Sequence, residues 1–172
     1  IRTDFQRQMR AGLVGEAAEL VWEHITRDVR PDDMEAFDEL GEGQTYVDLP
    51  QRLRRYRSDV FTDKYKRLVR TQLCRSITAH IAKDGYWYIH PEQHRPLSIR
   101  EAARVQTFPD DFRFAGTQTH RYQQIGNAVP VRLGRAVGKA VLAALATEGG
   151  HMVDRDAYRQ RLLDWHGERP VR

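Results

Sequence analysis

The stretch Arg95-Pro-Leu-Ser-Ile-Arg-Glu-Ala-Ala-Arg-Val-Gln-Thr-Phe-Pro109 decides how this chain is read. Ser98 stands where a helix N-cap would, and Glu101 follows three residues later, the spacing of a reciprocal capping box. Ile99, Ala102, Ala103 and Val105 then recur at helical intervals, so a helix is expected from Ser98 to about Thr107, where Phe108-Pro109 stops it. Arg100, Glu101 and Arg104 could pair along this helix, and their first roles are read as structural.

Downstream lies Gln124-Ile-Gly-Asn-Ala-Val-Pro130. Taken physically, it is a tight turn feeding a helix N-terminus. Gly126 permits an unusual backbone angle. Asn127 can cap the helix, and the first-turn N–H groups can meet an anion or carboxylate. A plain helix cap is the simpler role for Asn127 and stays open at this point. After Pro130, Leu133, Val137, Ala140, Val141, Ala144 and Leu145 mark the expected buried stripe of a long helix, closed by Gly149-Gly150. Asp154 can cap a last helix carrying Tyr158, Leu162 and Trp165, and residues 109–123 read as loop with short turns.

Upstream, residues 75–90 read as a β-hairpin. Arg75 to Ile81 is β-rich, Asp84-Gly85 is a favoured hairpin corner, and Tyr86 to His90 is an aromatic strand stopped by Pro91. Tyr86, Trp87 and Tyr88 are expected to pack under that hairpin. Residues 5–26 have helical spacing broken near Gly12 and Gly15, Pro31 opens a short helix reaching Leu40, and Gln51 to Tyr56 reads as a turn or two of helix.

Charge is unevenly spread over the 172 residues. Residues 1–50 carry a net −7 and residues 51–105 a net +8. A concentrated basic segment favours polyanions, because neutralised phosphates release counterions, although a solvated basic face is an equally simple reading. No run approaches a membrane span of about 20 apolar residues, and no signal peptide is visible. Cys74 is the sole cysteine, so no internal disulfide forms. One Cys and seven scattered His give no zinc-ligand pair. Gly-rich phosphate loops are absent. The chain opens on Ile1 rather than Met, as a piece of a longer polypeptide would.

The two strings together resemble the last two sequence motifs, IX and X, of the DNA (cytosine-5) methyltransferases. Asp63-Lys-Tyr-Lys-Arg-Leu68 and Ser76-Ile-Thr-Ala-His-Ile-Ala-Lys-Asp-Gly-Tyr-Trp-Tyr-Ile-His-Pro91 resemble the target-recognition region of bacterial members. The resemblance covers about residues 45–147. It implies an α+β fold: a small target-recognition domain with a β-hairpin and several helices, whose long motif X helix docks on a Rossmann-like catalytic domain outside this chain. The implied layout is a helical segment at 1–44, the recognition region with the motif IX helix at 45–123, the motif X turn and helix at 124–147, and a helical extension at 148–172.

The implied function is recognition of double-stranded DNA and completion of the S-adenosyl-L-methionine pocket in an enzyme that methylates C5 of a flipped-out cytosine. Asn127, Ala128 and Val129 match positions near the cofactor. Ser76, Ile77 and Thr78 match the short element near the flipped nucleotide, with Arg75, His80 and Lys83 as neighbouring DNA contacts. Arg54, Arg55, Arg57, Lys64, Lys66 and Arg67 are phosphate-anchor candidates. The family's Phe-x-Gly-x-Gly, Pro-Cys-Gln and Glu-Asn-Val motifs are missing, and Cys74 follows Leu73 rather than Pro. No catalytic residue and no metal ligand is therefore assigned, and the chain alone is expected to be inactive. The catalytic domain would come in cis or as a separate subunit, in a restriction-modification setting in the bacterial cytoplasm and associated with the nucleoid. The rival reading is a stand-alone basic DNA-binding module, for which a cofactor-facing turn at 124–130 has no use.

Overall fold

A computed structural model describes residues 1–57, 59–60, 62 and 64–147. The α-helices are α1 (Asp4–Met9), α2 (Pro31–Glu39), α3 (Ile99–Val105), α4 (Gln118–Asn127) and α5 (Val131–Thr147). Single 3-10 turns lie between them, at Gly15–Ala18, Tyr46–Asp48, Gln51–Leu53, Ala79–Ala82 and Tyr86–Tyr88. The chain divides into two compact units, Ile1–Arg132 and Leu133–Arg172.

The first unit has two apolar clusters. One gathers Phe37 and Leu40 of α2 with Tyr46, Leu49, Tyr65 and Ile89. Its centre is the buried carboxylate of Asp33, which accepts from Tyr65 Oη at 2.7 Å, Tyr86 Oη at 2.7 Å and Arg55 at 2.8 Å. A buried carboxylate persists only when partnered in this way. The other cluster packs Ile99, Ala102 and Ala103 of α3 against Tyr122 and Ile125 of α4 and against Ile77 and Ile81.

Helix α3 starts as its sequence predicts. Ser98 Oγ accepts from the Glu101 N–H at 3.2 Å, and Glu101 Oε2 accepts from the Ser98 N–H at 2.8 Å. The remaining first-turn amides find partners far away, Ile99 N–H on the Ile25 carbonyl and Arg100 N–H on the Glu23 carbonyl, both at 3.1 Å. An orphaned buried helix end is costly, so residues 23–25 serve as an external cap. The carbonyls of Glu23 and Ile25 are thereby spent on α3 rather than on a helix of their own segment. Of the apolar positions expected on a helix over 5–26, Met9 alone is buried, while Phe5, Leu20, Val21 and Ile25 are exposed.

The hairpin expected over 75–90 does not form. Among the described residues pairing is confined to isolated bridges, Thr45 with Lys66, Arg67 with Ile89 and Ile89 with Pro96. Two causes are visible. Gly85 has φ −99°, whereas a two-residue Asp-Gly hairpin corner needs positive φ. Tyr88 also folds its side chain back, donating to the Ser76 carbonyl at 2.9 Å and accepting from the Thr78 N–H at 3.2 Å. The tyrosine hydroxyl thus occupies main-chain groups that a strand partner would use, and the described fold is helical with turns. Tyr88 does pack inward, as expected of this aromatic run.

In the second unit, the stripe expected to be buried on α5 is open. Leu133, Val137, Val141 and Leu145 are 49–54% exposed. The helix expected after Asp154 lies outside the described residues.

Candidate functional site

The two diagnostic strings are joined by Gln106. It sits one turn beyond Ala102 on the buried face of α3 and is itself buried. Its side-chain amide donates to the carbonyls of Ile125 at 3.0 Å and Ala128 at 3.1 Å. Its own carbonyl accepts from the Val131 N–H at 3.1 Å. Next to it, Thr107 has φ 59°, a conformation costly for a β-branched residue. There its Oγ1 accepts from the Arg132 N–H at 3.0 Å.

These bonds correct the reading of residues 124–130. Gln124 to Asn127 form the last turn of α4, and Ala128 to Pro130 link α4 to α5. Asn127 ends one helix rather than capping the next. The amides of Val131 and Arg132 are engaged within the chain and are not open to an anion. Gly126 does not need an unusual φ. It is required by crowding, because a Cβ there would stand 2.5 Å from the Thr78 carbonyl oxygen and 2.9 Å from Ala79 Cα. Asn127 and Val129 are exposed and Ala128 is half-buried.

Through Gly126, α4 lies directly against the 3-10 turn Ala79–Ala82. Ser76, Thr78, His80 and Lys83 are all exposed on this turn and its approach. His80 leans on Trp87, ring centres 5.4 Å apart. Arg75 is half-buried with its guanidinium 5.2 Å from the same indole. Lys64 Nζ lies 3.6 Å over the Tyr56 ring, and Lys66 is half-buried beside it in sequence.

Arg67 is not a surface cation. It is 4% exposed. Its guanidinium donates to the carbonyls of Leu40 at 2.6 Å, His90 at 2.7 Å and Gln93 at 3.0 Å, and also to that of Phe37. It is a buried staple whose donors turn inward onto main-chain carbonyls rather than toward a phosphate. Other anchor candidates are also committed: Arg54 to the Leu49 and Val47 carbonyls, Arg55 to Asp32 and Asp33, and Arg57 to Asp59.

The charged residues of α3 do not pair with one another. Arg100 is buried against Glu23 at 2.5 Å. Arg95 grips Glu101 with two bonds, at 2.7 and 2.9 Å, and Arg104 grips Asp110, at 2.9 and 2.5 Å. Burial alone would raise the Glu101 pKa, but these bonds and the Ser98 N–H hold the carboxyl at about 2. Burial pushes the Cys74 thiol up, away from the thiolate a nucleophile requires. No group of three or more His, Cys, Asp or Glu suited to a metal occurs among the described residues, and none of their helices is long and apolar enough to cross a membrane.

Sequence reasoning missed Gln106 and Arg27. Gln106 carried a signal, since residues 99, 102, 103 and 106 share one helix face and a polar side chain there must find partners. Arg27 carried none, because its contacts lie more than 50 residues away.

Comparison with known proteins agrees with the pairing of the two strings. The family model for C-5 cytosine-specific DNA methylases matches residues 8–143. The type II methyltransferase M.Bpa9945I of Bacillus paralicheniformis is 38% identical over 127 residues, 69% of this chain and 28% of that protein. The type II methyltransferase M.AgeI of Thalassovita gelatinovora is 44% identical over 89 residues, 52% of this chain and 21% of its own. The DNA (cytosine-5)-methyltransferase CMT2 of Oryza sativa subsp. japonica is 56% identical over 62 residues, 36% of this chain and 5% of that protein. The chain thus spans less than a third of the length of these relatives. With Gln106 stapling the two diagnostic strings into one structure and the family model covering most of the sequence, the chain belongs to the C-5 cytosine-specific DNA methylase family.

Proposed function

We propose that this chain is the DNA-reading and cofactor-closing part of a DNA (cytosine-5) methyltransferase. One observation carries the reading. The exposed turn bearing Ser76, Thr78, His80 and Lys83 lies against Gly126, one residue from the exposed Asn127. In this reading Lys83 and His80, with Lys64, Lys66 and Arg75 beside them, meet the phosphates and groove edges of double-stranded DNA, and Ser76 and Thr78 meet phosphate oxygens.

Asn127, Ala128 and Val129 face the amino-acid end of S-adenosyl-L-methionine. An exposed carboxamide with both donor and acceptor, beside an exposed valine, fits such a group. Bound S-adenosyl-L-methionine supplies the methyl group. The nucleophile and the cofactor loop belong to a catalytic domain outside this chain, and the open apolar face of α5 suits docking there. A bacterial cytoplasmic setting with access to the nucleoid accompanies this role.

The test has two steps. The chain should bind duplex DNA with a salt-dependent affinity and transfer no methyl group alone. With the catalytic part supplied in trans, Asn127→Ala should weaken cofactor use more than DNA binding. Methyl transfer by the chain alone, or the reverse pattern for Asn127→Ala, would refute the division of labour. A stand-alone DNA-binding module would instead bind duplex and show no dependence on Asn127.

A further inference from the structure

Arg27 follows the capping residues 23–25 and has no part in the site described so far. Its side chain crosses to the 3-10 turn Ala79–Ala82. There Nη2 donates to the carbonyls of Ile81 at 3.0 Å and Ala82 at 2.8 Å, and Nη1 approaches that of Lys83 at 3.4 Å. These three consecutive carbonyls end the turn. The guanidinium lies over the Tyr122 ring of α4, 4.5 Å from its centre, and Tyr122 is fixed by its hydroxyl on the Leu97 carbonyl at 2.7 Å.

The arrangement costs something. Nε is buried and finds no hydrogen-bond partner among the described residues, and burial lowers the Arg27 pKa. A half-buried cation with one idle donor is an expensive way to hold a surface turn. What the clamp does fix is the backbone from which His80 and Lys83 project. Planar, forked donors hold several carbonyls at once, which a lysine ammonium on a flexible stem does not reproduce.

We infer that Arg27 is a positioning residue for DNA recognition, clamping the carbonyls of Ile81, Ala82 and Lys83 so that His80 and Lys83 meet the duplex in a fixed orientation. The inference rests on the proposed DNA-facing role of this turn. In a DNA complex the clamp spares the ordering cost that a loose turn would carry at binding.

Two measurements on the full chain test it. The first is amide hydrogen exchange. The N–H groups of Ile81, Lys83 and Asp84 close the turn on the carbonyls of Thr78 and His80. Arg27→Ala should speed their exchange by about ten-fold or more, leaving the amides of α2 within about two-fold. The second is duplex binding by fluorescence anisotropy, read as a cycle. Arg27→Ala should weaken binding by about five-fold or more in the wild-type background and have little effect once His80 and Lys83 are both alanine.

Arg27→Lys, which keeps the charge and most of the stem, should behave like Arg27→Ala in both assays, and it decides the question if the alanine variant does not fold. Unchanged exchange at 81–84, uniform acceleration throughout the chain, or a binding loss that persists in the His80 and Lys83 double variant would each overturn the inference. Failure of the wild-type chain to bind any duplex sinks the DNA-reading role itself, a different outcome from a wild type that binds and an Arg27 variant that binds equally well.

Discussion

The side-chain amide of Gln106 donates to the main-chain carbonyl of Ala128 at 3.1 Å, and this bond explains why two separated strings of sequence travel together. Ala128 sits in the link between α4 and α5, where no helical N–H can reach its carbonyl. Gln106 reaches it from the end of α3, and at the start of α5 the Val131 N–H returns to the Gln106 carbonyl at 3.1 Å. The path of the candidate cofactor-facing turn is therefore set by a residue about 20 positions upstream.

Removing that amide should loosen the turn. Gln106→Ala removes the Gln106 partner of the half-buried Ala128 carbonyl and leaves that of Ile125 with the Ala128 N–H alone, and an unsatisfied buried acceptor costs about 1–3 kcal/mol. Urea denaturation should therefore show a loss of about 2 kcal/mol, with unchanged m-value. A midpoint within error of wild type would mean that water or a neighbour replaces the glutamine.

Glycines of the two units should respond oppositely to alanine. At Gly126 a methyl group meets the Thr78 carbonyl oxygen at 2.5 Å, main chain that cannot swing aside. Overpacking of this kind costs about 1–3 kcal/mol. At Gly134, inside α5, nothing lies within 4 Å of the added carbon. Alanine there should raise helix content and stability by up to about 1 kcal/mol. Thermal melts of the two variants would separate the cases, and a Gly126→Ala chain as stable as wild type would rule out the tight contact with Thr78 and Ala79.

The same contrast shows what was legible in the sequence. Helix α3 could be read because its signals are local: Ser98 and Glu101 cap each other within one turn. Residues 75–90 misled because the deciding interaction, Tyr88 hydroxyl on the Ser76 carbonyl, is a side chain acting on distant main chain. Propensity and turn chemistry do not encode such a contact. Among the candidate site residues, Ser76, Thr78, His80 and Lys83 do share one exposed turn. Arg67 could not be told from its neighbours Lys64 and Lys66, because the carbonyls that bury it come from residues 37, 40, 90 and 93.

Acid should act on the chain through Glu101. Its pKa is about 2 in the folded chain, below the ordinary glutamate value of about 4.3 in an unfolded one. A depressed carboxylate stabilises the fold above the unfolded pKa and loses that contribution as pH falls toward the folded pKa. The window is thus about pH 5 to pH 2, and the contribution at neutral pH is at most about 3 kcal/mol, since one unit is about 1.4 kcal/mol. Glu101→Gln should be less stable than wild type at pH 7, and the gap should narrow as pH is lowered. A constant gap from pH 7 to pH 2.5 would show that Arg95 does not hold the ionised form.

Arg67 and Lys83 should separate stability from binding. Both are cations of the basic middle segment, and a charge count treats them alike. Arg67 is 4% exposed, with its donors on main-chain carbonyls. Arg67→Ala strips several buried acceptors at once, which should cost about 3 kcal/mol or more of folding stability. At temperatures where the variant remains folded, its DNA affinity should keep the wild-type dependence on salt. Lys83 is exposed, and its alanine variant should melt with the wild type while the slope of log affinity against log salt falls by about one unit, the signature of one lost phosphate contact. Anisotropy titrations from about 50 to 200 mM salt resolve a change of that size. A reduced slope for Arg67→Ala with normal stability, or an unchanged slope for Lys83→Ala, would mean that the burial pattern points to the wrong surface.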